Sequence, residues 1–103
     1  MIVYNITCKV RWDILESWLS WQLKEQVPAT LATGLFDDYR LYRLLEQDEE
    51  DGPTFVIQFL TSSVERYQRF TSQFEPGLRQ AGWDKWGNGF IAFQTLMETV
   101  RVH

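Results

Sequence analysis

A chain of 103 residues, 45% of them hydrophobic, suits one domain with a real but modest core and leaves no room for a second. Its formal charge of -4 comes without a basic stripe, so neither nucleic acid nor an anionic membrane is an expected partner. Cys8 and His103 are the only residues of their kinds, which excludes an intrachain disulfide and leaves too few soft ligands for a transition-metal or haem site, so no metal and no cofactor are expected.

Five Trp, seven Phe and four Tyr are more large apolar surface than a small core usually hides, so an interface is expected. No apolar run approaches the roughly 20 residues needed to span a bilayer. The opening Met1-Ile2-Val3 lacks a basic region and passes straight into alternation, so no secretion signal is expected. With the free thiol, this makes the cytoplasm the expected location.

In chain order, residues 2 to 11 alternate. Ile2, Tyr4, Ile6, Cys8 and Val10 share one face and Asn5, Thr7, Lys9 and Arg11 the other, which predicts a strand with a buried, inert thiol. Asp13 and Glu16 have capping-box spacing and predict a helix start. Its apolar stripe is Ile14, Leu15, Trp18, Leu19 and Leu23, with Trp12 and Trp21 on the flanks. Pro28 breaks this helix or opens a short second one, which Gly34 stops.

The stretch FDDYRLYRLLEQDEEDGPTF, residues 36 to 55, fits two structures. Leu41, Leu44 and Leu45 have helical spacing, whereas Tyr39, Leu41 and Leu45 share a strand face on which only Arg43 is out of place. Asp51-Gly52 sits where a hairpin turn belongs, just before the β-branched and aromatic strand TFVIQFLT at 54 to 61, so strand is the consistent reading. Ser62 and Glu65 repeat the capping-box spacing ahead of Val64, Tyr67, Phe70 and Phe74, a second helix. Pro76 kinks or restarts it, and its apolar side continues through Leu78 and Ala81 to Gly82. After the WGNG turn at 86 to 89, residues 90 to 101 form a last strand.

The order is therefore β-α-β-β-α-β, an α+β ferredoxin-like arrangement in which one antiparallel sheet carries both helices on one face. The mixed sides of the second strand then have a reason. A sheet covered on both faces need not alternate cleanly, and the expected second cover is another copy of the chain.

The segments MIVYN at 1 to 5, ATGLF at 32 to 36, YRLYRLLE at 39 to 46, EEDGPTF at 49 to 55 and TLME at 95 to 98 carry a resemblance nearly end to end. The chain resembles a small family of bacterial proteins of similar length, a domain of unknown function. The resemblance implies a ferredoxin-like fold of the dimeric α/β-barrel type, in which two sheets pack through the faces that helices leave free. It implies no catalytic residues. Wider structural relatives of this type include small monooxygenases and haem-degrading enzymes, a link of fold alone.

No catalytic motif stands out. The acidic run QDEEDG at 47 to 52 lacks the register of a calcium loop, since Gln47 falls at its first position and a strand follows; it reads as a solvated hairpin tip. A frayed His103 makes neither a triad nor a metal site. Asn5 occupies a place like that of an asparagine that matters in haem-degrading relatives, but neither helix offers an axial histidine, and an amide bonded to sheet neighbours explains it as well. The glycines of GWDKWGNGF follow a helix and read as turn residues.

Polar residues on strands are the remaining candidates for a ligand site: Asn5, Thr7, Arg40, Tyr42, Arg43, Gln58, Gln94 and Glu98. Arg40 and Arg43 fall on opposite faces, so at most one lines a barrel interior, where it would grip a carboxylate with Tyr42 or Gln58 fixing its orientation. The plainer arrangement is an Arg-Glu pair, with Glu46 or Glu98 as partner. Three functional readings follow. The first is a homodimeric α/β-barrel domain that is non-enzymatic or binds a small hydrophobic or carboxylate ligand between its sheets. The second is a cofactor-independent, monooxygenase-like enzyme acting on a hydrophobic or aromatic metabolite, although no nucleophile-base pair supports it. The third is a protein-interaction module that uses exposed Trp21, Trp83 or Trp86.

Overall fold

The computed structural model describes residues Met1 to His103. Strand β1 (Ile2–Val10) buries Ile2, Tyr4, Cys8 and Val10, as its alternation requires. A single 3₁₀ turn at Trp12–Ile14 then leads into α1 (Leu15–Trp21), and neither has a side-chain cap. The expected capping box is absent because Asp13 turns back to Arg11, whose Nε and Nη2 donate to its carboxylate at 3.0 and 2.7 Å. A bidentate, charge-assisted pair outcompetes a bond to a backbone amide.

After Trp21 the helix widens into a π turn at Gln22–Gln26, in which the Val27 N–H donates to the Gln22 carbonyl five residues back. Pro28 accounts for the widening. It has no N–H for the Lys24 carbonyl, and its ring would strike that carbonyl in a regular helix. Trp21 and Gln22, three and four residues after Trp18, share its side of the helix, so Trp21 is only 7% exposed, whereas Leu23, expected in the core, falls away from that side and is 46% exposed. The buried stripe is instead Trp18, Trp21, Gln22, Val27 and Thr30, the last two on α2 (Val27–Ala32). Gly34, at φ 76°, then ends the helix, its N–H bonded to the Leu31 carbonyl.

The stretch at 36 to 55 is a strand, but a short one. β2 (Asp38–Arg43) stops before Leu44, and Leu45 is exposed rather than on the inner face. Tyr39, Leu41 and Arg43 lie opposite Phe59, Ile57 and Phe55 of β3 (Thr54–Thr61), so it is Arg43 that completes the inner row at the sheet's edge. It pairs there with Glu49 at 2.7 Å and lies 6.0 Å from the Trp12 ring. The acidic segment is thus a loop folded back over Trp12, whose indole N–H donates to the Glu49 carbonyl at 2.7 Å.

Helix α3 (Val64–Gln73) is capped by Ser63, whose hydroxyl accepts from the Arg66 N–H at 3.3 Å, one residue later than expected at Ser62. Arg66 also donates to the carbonyls of Gly34 and Leu35 and to Thr61, tying this helix to the entry of β2. Pro76 marks a restart rather than a kink. Phe74 breaks the helical backbone, and α4 (Glu75–Trp86) begins beside it with proline in its first turn. Gly82 does not end α4, which runs on to Trp86, and the last strand is β4 (Phe90–Glu98), three residues shorter than expected at its end.

The sheet order is β2-β3-β1-β4, with every pair antiparallel. This is the ferredoxin-like arrangement. All helices cover one face, where the Tyr4 ring lies among Phe36, Phe59, Tyr67 and Phe70 and the Trp18 ring between Phe55 and Phe90. Each such pair adds about 0.5–1.5 kcal/mol beyond area burial, so much of the aromatic content is core. The other face has no cover, and Phe93 is 65% exposed on it.

Candidate functional site

Two places bring polar groups together, one on each face of the sheet. On the uncovered face the register aligns Arg40, Gln58, Asn5 and Thr95 across all four strands. The Gln58 amide donates to Asn5 Oδ1 at 3.2 Å, and the Asn5 amide donates to Thr7 Oγ1 at 3.3 Å. Asn5 is thereby bonded to sheet neighbours. Mostly apolar rows flank this polar one: Asp38, Leu60, Val3 and Met97 on one side, and Tyr42, Val56, Thr7 and Phe93 on the other. Of the candidates named from sequence, Asn5, Thr7, Arg40, Tyr42 and Gln58 therefore share this face. Arg43 is turned to the other face and neutralised by Glu49 rather than by Glu46 or Glu98.

The second place is a cavity of about 100 Å³ between sheet and helices. Its floor is Tyr4, Ile6 and Cys8 of β1, Ile57 and Phe59 of β3, and Phe90, Ala92 and Gln94 of β4. Its roof comes from Trp21, the π turn and α4. Gln94 is the only expected site residue that reaches it; Glu98, four residues further along the same face of β4, does not.

The polar part of this lining was not legible as a site in the sequence. Gln26 donates to the Leu78 carbonyl at 2.9 Å and pins the π turn to α4. Glu75 and Arg79 form an ion pair one turn apart on α4. Gln22 is 5% exposed and Tyr4 3%, yet their polar atoms remain accessible to a water-sized molecule; the occluded side-chain groups without a partner are the indole N–H groups of Trp18 and Trp86. Burial, with a smaller push from the Glu75 carboxylate, holds the Tyr4 hydroxyl well above the usual phenol range. Burial alone pushes the Cys8 thiol up to about 12. Both stay protonated at neutral pH, so neither is a ready base or nucleophile. The available signal was a tyrosine in an otherwise apolar stripe and two glutamines four residues apart just before Pro28.

Residues 1–100 match the model of a family described as Domain of unknown function (DUF4286). The chain belongs to this family. No curated protein matches it significantly. The DUF4286 fold is shared with solved structures of low sequence identity. An ethyl tert-butyl ether d (ethd) family protein from Bacillus halodurans is 12% identical with a TM-score of 0.72, over 97% of this chain and 100% of that one. SnoaB, a cofactor-independent oxygenase from Streptomyces nogalater solved as a mutant, is 14% identical with a TM-score of 0.68, over 98% and 95%. A dimeric ferredoxin-like protein from an uncultured marine organism is 12% identical with a TM-score of 0.71, over 99% and 96%. No helix of this DUF4286 chain is long and apolar enough to cross a membrane.

Proposed function

We propose that this DUF4286 protein is a homodimeric α/β-barrel domain that binds a small, largely apolar molecule in the cavity between the sheet and helices of each protomer. The observation that carries the reading is the cavity itself, apolar in most of its lining with a few polar side chains, Gln22 and Tyr4 among them, set into it. The uncovered sheet face supports the dimer, because Tyr42, Ile91, Phe93 and Met97 stand exposed there beside a polar row able to fix register. A second copy suits such a face, and dimeric proteins of this fold exist. A cytoplasmic location goes with this reading, since Cys8 is a buried free thiol.

The alternative is a cofactor-independent oxygenase, an activity that SnoaB has. With Tyr4 and Cys8 both held protonated, the lining favours binding over proton abstraction. Partner binding through tryptophan loses Trp21, which is buried, and keeps Trp83, which is 61% exposed on α4. Amide NMR separates the sites. Small aromatic probes should shift the side-chain amides of Gln22, Gln26 and Gln94; shifts confined to Asn5 and Gln58 would place the ligand between the sheets instead.

A further inference from the structure

The cavity, the π turn and Gln22 belong together. Gln22 opens the π turn, where it replaces the apolar residue that a helix face packed on a sheet would ordinarily present. Its carboxamide and the Tyr4 hydroxyl both line the cavity and both remain accessible to a water-sized molecule, so each can bond a molecule held there. Such π turns recur at functional sites.

Resting on the small-molecule reading above, we infer that the cavity takes an uncharged molecule with an apolar body and one carbonyl or hydroxyl group, hydrogen-bonded by Gln22, with the Tyr4 hydroxyl as the second polar contact. Three observations set this class. The volume, about 100 Å³, is below the roughly 150 Å³ of a protein cavity that holds benzene, so a single ring is about the largest body the site takes and part of it must extend through the opening. The one cation in the lining, Arg79, is already paired with Glu75, so an anionic ligand would lose its hydration without gaining a free counter-charge. Carboxamide and hydroxyl each both donate and accept, which fits a neutral carbonyl or hydroxyl equally.

Three probes with the same body test this: p-cresol, toluene and p-toluate, titrated into isotope-labelled protein at neutral pH. p-Cresol is expected to shift the Gln22 side-chain amide and to bind about five- to tenfold more tightly than toluene, the value of one neutral hydrogen bond. p-Toluate is expected not to bind. Gln22→Leu should bring p-cresol down to the affinity of toluene. Equal affinities for p-cresol and toluene in the native chain, p-toluate binding as well as p-cresol, or a p-cresol preference that survives Gln22→Leu would each overturn the inference. Any of these with shifts still at the Gln22, Gln26 and Gln94 amides would leave the cavity reading standing, whereas shifts confined to the Asn5 and Gln58 amides, or silence from all three probes, would end both. The native chain alone decides among the probes, whatever the variant's folding.

Discussion

Gly52 is where a single methyl group should do the most damage. The loop between β2 and β3 passes over the end of β1, and a Cβ at Gly52 would lie 1.7 Å from the Val10 carbonyl oxygen and 2.7 Å from its carbon. Both are backbone atoms of a strand paired on each side, and Val10 is fully buried, so the loop must yield. Reaching ordinary contact takes a shift of roughly 1.5 Å, enough to break the bonds from Val10 N–H to Pro53 O and from Trp12 N–H to Asp51 O. Two backbone bonds at about 1 kcal/mol each, with about 1–3 kcal/mol for an alanine held at the φ of 152° seen here, give a loss of about 3–5 kcal/mol for Gly52→Ala. That is a large share of the stability of a small domain. Urea denaturation followed by tryptophan fluorescence measures it. Gly77→Ala is the control, since its Cβ meets nothing and the helical site should gain up to about 1 kcal/mol. A Gly52→Ala variant within about 1 kcal/mol of the parent would refute the reasoning.

Ser63→Ala should cost about 1 kcal/mol by uncapping α3, whereas Ser62→Ala stays within about 0.5 kcal/mol; equal losses in denaturation would contradict the cap assignment. Cys8 ionises near 9.0 when exposed but near 12 when folded, so above pH 9 the unfolded chain holds fewer protons and stability falls with rising pH, by up to about 1.4 kcal/mol per unit from this group. Cys8→Ala should flatten that part of the slope in urea titrations between about pH 9 and pH 11, and an unchanged slope would count against the burial argument. Elemental analysis and an absorption spectrum of tag-free protein should find no stoichiometric zinc or iron and no Soret band after desalting; retained metal or haem would contradict the expectation drawn from one cysteine and one histidine.

The strands were legible because alternation is burial written directly into sequence, and β1 reads inner and outer residues off in turn. Parity likewise separated Arg40 from Arg43. Which of them faces the helices depends on the partner strand, and only the pairing of Arg43 with Phe55 decides it. Pro28 announced a disturbance without giving its form, and the apolar stripe could be drawn through Trp18 and Leu23 or through Trp18 and Trp21, of which only the packing selects the second. Two adjacent serines could each cap α3, and the end of β3 selects Ser63. The cavity was the least legible feature. It is volume left unfilled among distant residues, and no local pattern records that Tyr4 and Gln22 line the same space.

Two neighbouring residues of β4 put the assembly to its most direct test. Phe93 points out of the uncovered face and Gln94 into the helix side, so Phe93→Lys and Gln94→Lys place the same charge on opposite faces of one strand. Sedimentation velocity at micromolar concentration should find the parent chain and Gln94→Lys at twice the 12.3 kDa chain mass and Phe93→Lys as a folded monomer. A parent chain that sediments as a monomer at every concentration, or a dimer that tolerates lysine at 93, would contradict the sheet-to-sheet homodimer.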